Sequence, residues 1–320
     1  MGYDEVSEHQ WMMEDTLRTL AYERALRAVI RPGDTVLDFG CGLGILAMLA
    51  SRAGAKKVIA VDRLPIVRLA HKVARQNGLS NIDFYHAPEG SLDLPAKVDV
   101  LVSEWMGHFA LHEGMLAPLL AARDRHLAPG GRMIPETVTL RAALVRDPSY
   151  LERRRYFSTR PYGFDFSSIT PFSLSEVRGE RFAPSHLAPP TATLATLEMA
   201  HLPAPPTVVE GSLSPEQACE VTGIAAWFEA CLAPGIHLDT GPLAPPTHWA
   251  QFFFPFTDPW EISPSRPVHL RLAPLQLDAV HTRWHWSATD GTTTRTGDDL
   301  TASAFVNRPL PPGLLPDDGR

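Results

Sequence analysis

The sequence predicts two domains of different class: an α/β domain with a mainly parallel sheet over residues 1–134, and a β-rich barrel or sandwich over residues 135–320. Three observations carry this. The 320 residues exceed what a single core usually organises. Up to Ile134, apolar stretches of strand and helix length alternate, as in a parallel sheet covered on both faces. Of the 30 prolines, 6 lie before Pro135 and 24 from Pro135 onward, and a chain that dense in proline cannot carry long helices.

Residues 11–30 place Met13, Leu17, Ala21, Ala25 and Val29 four apart, which makes one helical face. Thr35–Phe39 is a short apolar strand, Gly40–Gly44 a glycine turn, and Ile45–Ala53 a helix that Gly54 stops. A second strand, Lys57–Val61, runs into Asp62. A helix at Pro65–Gln76, strands at Ile82–Tyr85 and Val98–Val102, and a helix at Met115–Leu127 follow. Pro129-Gly130-Gly131 then turns the chain into a strand at Arg132–Ile134. Beyond the boundary, Val138–Leu144, Ala250–Phe254, Val268–Leu272 and Arg283–Ala288 read as strands separated by turn residues. Residues 184–206, rich in Pro and Ala, read as loop or edge structure, and Pro309–Arg320 as a loosely held tail.

Composition narrows the class. A 44% hydrophobic content is that of a soluble globular protein, and no apolar run nears the roughly 20 residues of a membrane span. The start, Met1-Gly2-Tyr3-Asp4-Glu5, has no basic-then-apolar signal pattern. Cys41, Cys219 and Cys231 are too widely spaced for a disulfide framework or a zinc site, and a reducing cytoplasm is the simplest setting. The net charge of −7 argues against a grip on nucleic acid and is compatible with a cationic substrate.

Val36-Leu37-Asp38-Phe39 leads into Gly40-Cys41-Gly42-Leu43-Gly44, and 18 residues after Gly44 the next strand ends in Asp62. Strand, glycine turn, helix, strand and acidic residue, in that order, predict a nucleoside cofactor whose ribose hydroxyls meet Asp62. The third glycine comes one position too early for the dinucleotide pattern. Asp38, just ahead of the turn, would repel a pyrophosphate but suit the cationic amino-acid end of S-adenosylmethionine. The first domain is therefore expected to be a Rossmann-like class I methyltransferase domain.

After the fourth strand comes Ser103-Glu104-Trp105-Met106-Gly107-His108-Phe109-Ala110-Leu111-His112-Glu113-Gly114-Met115. Two carboxylates nine apart, with a glycine and aromatics between, suggest a loop that returns on itself at the carboxyl end of the sheet, where α/β folds bind ligands. This segment closely resembles the double-E loop of protein arginine methyltransferases. Tyr3 with the stretch His9–Thr19, the run Ala55–Asp62, Tyr162-Gly163-Phe164-Asp165-Phe166, and Thr240-Gly241-Pro242 followed by Thr247-His248-Trp249 resemble the family's N-terminal helix, cofactor strand, dimerisation arm and barrel motif in turn.

The resemblance implies a chemistry. Glu104 and Glu113 would clamp an arginine guanidinium. His248 and Asp15 would pair, either to take the released proton or as a link fastening the N-terminal helix over the site. Arg18 would bind the carboxylate of S-adenosylmethionine, with His9, Gly40, Gly42, Asp38, Asp62 and Glu89 as further cofactor contacts. Asp62 stands where the family more usually has glutamate. Met12 and Met115 would lie near the transferred methyl or simply pack the core, and Trp105, Met106 and Trp249 complete the acceptor contacts. Residues near 150–178 would form the arm of a homodimer. Two departures stand out: His108 replaces a frequent Tyr, and only two residues precede Tyr3. The acceptor is expected to be an arginine-containing protein or peptide. Free arginine or a small guanidine is the alternative, and a non-catalytic scaffold a second one.

Overall fold

The computed structural model describes residues 5–88, 90–277 and 281–300. The expected tail at 309–320, Tyr3 and Glu89 lie outside them. The first helical stretch is two helices, α1 (Val6–Glu14) and α2 (Thr16–Val29), rather than one over 11–30. The break is at Asp15, whose Oδ1 accepts the Arg18 amide at 3.0 Å and so caps α2. An aspartate N-cap contributes about 1 kcal/mol, which is enough to start a new helix here.

Strands β1 (Thr35–Phe39), β2 (Lys57–Asp62), β3 (Ile82–His86), β4 (Val98–Val102) and β5 (Leu127–Ile134) form one sheet in the order β3-β2-β1-β4-β5, every pair parallel. Helices α3 (Ile45–Arg52), α4 (Val67–Gln76) and α5 (Leu116–His126) connect them. Val36, Leu37, Val58, Val100 and Leu101 are completely buried, as central parallel strands require. The strand order reverses between β1 and β4, so their carboxyl ends flank a crevice. β5 begins five residues earlier than its sequence suggests. Leu127 pairs with Val98 and Arg132 with Val100, so the Pro129–Gly131 turn is a bulge inside the strand, with Gly130 at φ +73°.

Among the described residues the second half is mainly strand, apart from one excursion. β6 (Thr137–Val145), β7 (Arg178–Glu180), β8 (Leu187–Glu198), β10 (Cys219–Ala233) and β12 (Gln251–Ile262) form a sheet in the order β7-β12-β10-β6-β8, and β11 (Ile236–Asp239) pairs with β10. β9 (Val209–Leu213), β13 (Val268–Gln276), β14 (Thr282–Thr289) and β15 (Thr294–Asp298) form a second, in the order β15-β14-β13-β9. β8 lies against β9 and β12 against β15, which closes the two sheets into a barrel around Phe228, Phe254, Phe256, Leu270, Leu272 and Trp284. Each such side chain contributes about 1.5–3 kcal/mol by leaving water. The segment read as loop or edge contains β8, an edge strand. Its Pro189 and Pro190 sit where the register with β6 breaks and no ladder bond is lost.

Between β6 and β7 the chain leaves the barrel as an arm: α6 (Pro148–Arg154), a series of single turns, and α7 (Thr170–Ser175). Its base is anchored by the Arg154–Glu176 pair at 2.7 Å and by buried Tyr150 against Phe253. Its tip is apolar and open: Tyr162 is 93% and Phe164 68% exposed. Among the described residues no helix is long and apolar enough to cross a membrane, and no cluster suited to a metal ion occurs.

Candidate active site

The crevice between β1 and β4 has two ends. At the first, β1 runs into the glycine turn, where Gly40, Gly42 and Gly44 take φ of +77°, +53° and +78°. Only glycine adopts this backbone without strain. Space demands it too: a β-carbon on Gly42 would stand 2.6 Å from the His9 ring, and one on Gly44 3.0 Å from Phe84. Asp62, at the end of β2, braces the turn. Its Oδ2 accepts the Gly42 amide and its Oδ1 the Leu64 amide, both at 2.8 Å. Each carboxylate oxygen retains a second lone pair for a hydroxyl.

Asp38 is completely buried at the mouth of this turn, and neither of its oxygens has a hydrogen-bond partner. Burial, with Asp62 repelling it, lifts its carboxyl to about 7 against the Ala47 amide, which faces it without reaching hydrogen-bond geometry. An orphaned buried carboxylate is costly unless a cation meets it. An acid on each side of a glycine cradle fits a nucleoside that carries a cationic amino-acid end.

The second end is the loop between β4 and α5. Ser103 fastens its start: its hydroxyl donates to the Phe39 carbonyl at 2.6 Å, and its carbonyl accepts the buried Tyr22 hydroxyl at 3.2 Å. Glu104 follows, with Oε1 on the Met106 amide at 3.2 Å and Oε2 paired to Arg18 at 2.9 Å. The loop doubles back at Gly107, φ +50°, and the returning Glu113 carboxylate lies so close over Gly107 that a β-carbon there would displace it.

The barrel supplies the third wall. His248 Nδ1 bonds Asp15 Oδ2 at 2.8 Å, and the same oxygen accepts the His248 amide at 2.7 Å, across 233 residues of chain. Burial alone would raise the Asp15 carboxyl. The His248 ring and the amides of Arg18 and His248 outweigh it and bring the carboxyl down to about 2. Trp11 stands edge-on to His248 at 5.4 Å, and Trp249 packs against Phe228. The turn bearing Thr247-His248-Trp249 is held by Arg181, which donates to the Thr247 carbonyl at 2.6 Å, and by Gln251, which donates to the Thr240 carbonyl at 2.7 Å.

One connected chain of bonds therefore runs His248–Asp15–Arg18–Glu104. Arg18 also donates to the Met12 carbonyl at 2.8 Å, and its guanidinium lies 5.9 Å from the Trp249 ring. Sequence reasoning had Arg18 on one ligand and Glu104 on the other; the fold joins them directly. Met115 reaches back to the glycine turn, its Cε 3.5 Å from where a β-carbon on Gly40 would stand. Trp105 and Met106 are buried in the core, at 3% and 1% exposure, so their side chains form the floor of the loop. Sequence reasoning missed Ser103 and Tyr22 as loop anchors. Neither carries a local signal, since each is defined by a partner far along the chain.

Comparison with known proteins matches both halves. Residues 136–283 match the family model described as arginine methyltransferase oligomerization subdomain, and residues 19–135 that of ribosomal protein L11 methyltransferase. The chain is 33% identical over 268 residues to protein arginine N-methyltransferase 1 of Saccharomyces cerevisiae, a match spanning 80% of this chain and 77% of that one. It is 30% identical over 299 residues to protein arginine N-methyltransferase 6 of Xenopus laevis, spanning 88% of each. The fold superposes on the Trypanosoma brucei PRMT1 enzyme-prozyme heterotetrameric complex with AdoHcy at a TM-score of 0.82 and 26% identity, covering 92% of this chain and 99% of that one. Arabidopsis thaliana protein arginine methyltransferase 10 superposes at 0.78 and 23% identity, covering 93% and 99%.

Proposed function

The chain belongs to the protein arginine N-methyltransferase family, and we propose that Glu104 and Glu113 hold the acceptor guanidinium while His248 and Asp15 take up the proton it releases. The protein is an S-adenosylmethionine-dependent arginine N-methyltransferase. The observation that carries the residue roles is the return loop. It starts with Glu104 at the carboxyl end of β4, turns back at Gly107 with the Glu113 carboxylate lying over that glycine, and sends Met115 to Gly40 in the glycine turn that ends β1.

S-adenosylmethionine supplies an electrophilic methyl group on its sulfonium. Asp38 would meet its α-ammonium, Arg18 its carboxylate and Asp62 its ribose hydroxyls, with His9, Gly40 and Gly42 around the turn. An arginine guanidinium stays protonated, with a pKa above about 12, and its delocalised charge makes its nitrogens poor nucleophiles. Two carboxylates holding it through charge-assisted hydrogen bonds draw that charge toward the clamped nitrogens. Electron density is left on the nitrogen aligned with the methyl, and holding the two groups in line supplies much of the rate. A C–N bond forms, the C–S bond breaks, and the nitrogen sheds a proton. His248 is oriented for it: Nδ1 is committed to Asp15 Oδ2, which leaves Nε2 to accept, and the Asp15 carboxylate stabilises the resulting imidazolium. Met12, Met115 and Trp249 bound the space around the reacting nitrogen.

The acceptor is an arginine in a protein or peptide. Mass spectrometry tests this directly. The enzyme is incubated with S-adenosylmethionine, an arginine-rich peptide and free arginine together. A gain of about 14 Da per methyl on the peptide is the expected result; a gain on free arginine alone would move the acceptor to small guanidines. The protein is further proposed to be cytoplasmic and to work as a homodimer through the arm, whose exposed Tyr162, Phe164 and Phe166 are an apolar contact surface. Light scattering of Tyr162→Ala/Phe164→Ala should show a monomer where the parent is a dimer.

A further inference from the structure

The double-carboxylate loop leaves the sheet domain, but its second half is held by the barrel. Phe109 is fully buried among Phe252, Phe254 and Trp284. Three residues on, His112 is bound in three ways at once. Its ring packs on Phe252 at 4.7 Å. Its Nδ1 accepts the indole N–H of Trp284 at 3.2 Å. Its carbonyl accepts the hydroxyl of Thr282, two residues before Trp284 on β14.

We propose that His112 is the positioning residue for Glu113, clasped by Trp284 and Thr282 so that the barrel fixes the second carboxylate of the acceptor clamp. This rests on the reading of Glu113 as part of that clamp. Glu113 is the next residue after His112, and the segment carrying both lies between two glycines with positive φ, Gly107 at +50° and Gly114 at +68°. Glycine at both ends gives the backbone freedom to swing. Rigid placement of the carboxylate then draws on the contacts between them, and His112, the residue before it, makes two polar ones. Gly114 adds close packing, with a β-carbon there 2.9 Å from Gln276 Nε2 on β13.

The chemistry of the clasp is specific. An indole N–H only donates, so Nδ1 of His112 must present its lone pair and the ring proton sits on Nε2. Trp284 is completely buried, so its N–H has no water to turn to if His112 is lost. Burial, with His108 and His281 nearby, lowers the His112 pKa to about 4, and the acceptor lone pair is therefore intact at neutral pH. Asparagine can offer its Oδ1 near the same place; phenylalanine can fill the space but accepts nothing.

The test uses the full chain and five variants: His112→Phe, His112→Asn, Trp284→Phe, the double variant of the first and third, and Glu113→Gln. Methylation of an arginine-rich peptide gives kcat and KM, and calorimetry gives the affinity for S-adenosylhomocysteine. His112→Phe and Trp284→Phe should each lower kcat roughly tenfold or more, as small misplacements of a reacting group do. Cofactor affinity should stay within about twofold, and His112→Asn should recover most of the lost kcat. The double variant His112→Phe/Trp284→Phe should be no worse than either single one, because both remove the same bond. Wild-type kcat in Trp284→Phe overturns the proposal. So does an Asn variant as slow as the Phe variant. Glu113→Gln separates the two claims: if it turns over normally the clamp reading falls, and if it is inactive while the clasp variants are unimpaired only the clasp falls.

Discussion

The two ends of the crevice rest on very different lengths of chain. The proposed cofactor end is built from neighbours: Asp38, Gly40, Gly42, Gly44 and Asp62 come from one strand–turn–helix–strand unit, in which β1 pairs with β2 and Asp62 holds the Gly42 amide. The proposed acceptor end is assembled across the molecule. Asp15 from the first helices meets His248 from the barrel, Glu104 from the sheet meets Arg18, and His112 meets Trp284 across 172 residues. A local unit forms whenever its strands pair. A distributed one exists only when both domains are docked. The acceptor end should therefore fail without the cofactor end noticing, and the converse should be harder to arrange.

The largest effect expected from this contrast is at Glu113. Glu113→Gln should lower turnover about a thousandfold or more, the scale of losing a transition-state contact, while S-adenosylhomocysteine binds within about twofold of wild type. Equal losses in both readouts would break the division. Asp15→Asn comes next. It should cost about a hundredfold in kcat, within the range for losing acid–base help, again with cofactor affinity nearly intact. The same variant has a second signature. The Asp15 carboxyl is depressed to about 2 in the folded chain against 3.8 unfolded, so its stabilisation is complete above pH 4 and is lost as pH falls toward 2. Thermal melts of the wild type should carry this acid-side loss, and Asp15→Asn should lack it.

Arg18 is where the two ends meet, so Arg18→Ala should disturb both. Cofactor affinity should weaken about tenfold, and kcat should fall as Glu104 loses its partner. An effect on one end only would show that the bridge is incidental. The smallest effect is a pH slope. Asp38 has a carboxyl raised to about 7 and must ionise to meet an ammonium. Protonation below that pH removes the attraction. S-adenosylhomocysteine should bind about tenfold more weakly at pH 6 than at pH 8, and calorimetry on Asp38→Asn should find the slope gone.

The same contrast explains what the sequence revealed. The glycine turn, Asp38 and Asp62 are legible because the steric and charge requirements act between close neighbours, at spacings the backbone sets. The Glu104–Glu113 loop is legible as a motif, and Thr247-His248-Trp249 as a resemblance. Of the bonds between these pieces, the Asp15–His248 pair came with the resemblance, but the Arg18–Glu104 and His112–Trp284 contacts were not legible. The helix break at Asp15 hides inside a continuous apolar periodicity, and only the N-cap geometry exposes it. β10, the longest strand, escaped notice because Ile224-Ala225-Ala226-Trp227-Phe228 is buried on both faces and does not alternate. The five-residue error at the start of β5 arose because a Pro-Gly-Gly bulge and a Pro-Gly-Gly turn look alike in sequence. Trp284 as the holder of His112 has no local signature at all.

Asp15 divides its work between its two oxygens: Oδ1 starts α2 at the Arg18 amide, and Oδ2 holds both the ring and the amide of His248. Few residues could inherit that position by gradual replacement. Serine or threonine would begin the helix but has no second oxygen. Glutamate has two, on a stem too long to reach back to its own helix start. Asparagine keeps one acceptor oxygen and the helix start, but it loses the charge and presents an amide nitrogen in place of the other oxygen. A lineage that drifted here would have to surrender the helix entry, the histidine's orientation, or both in one step, so the position is closed to neutral exploration even though it lies far along the chain from the residues it serves.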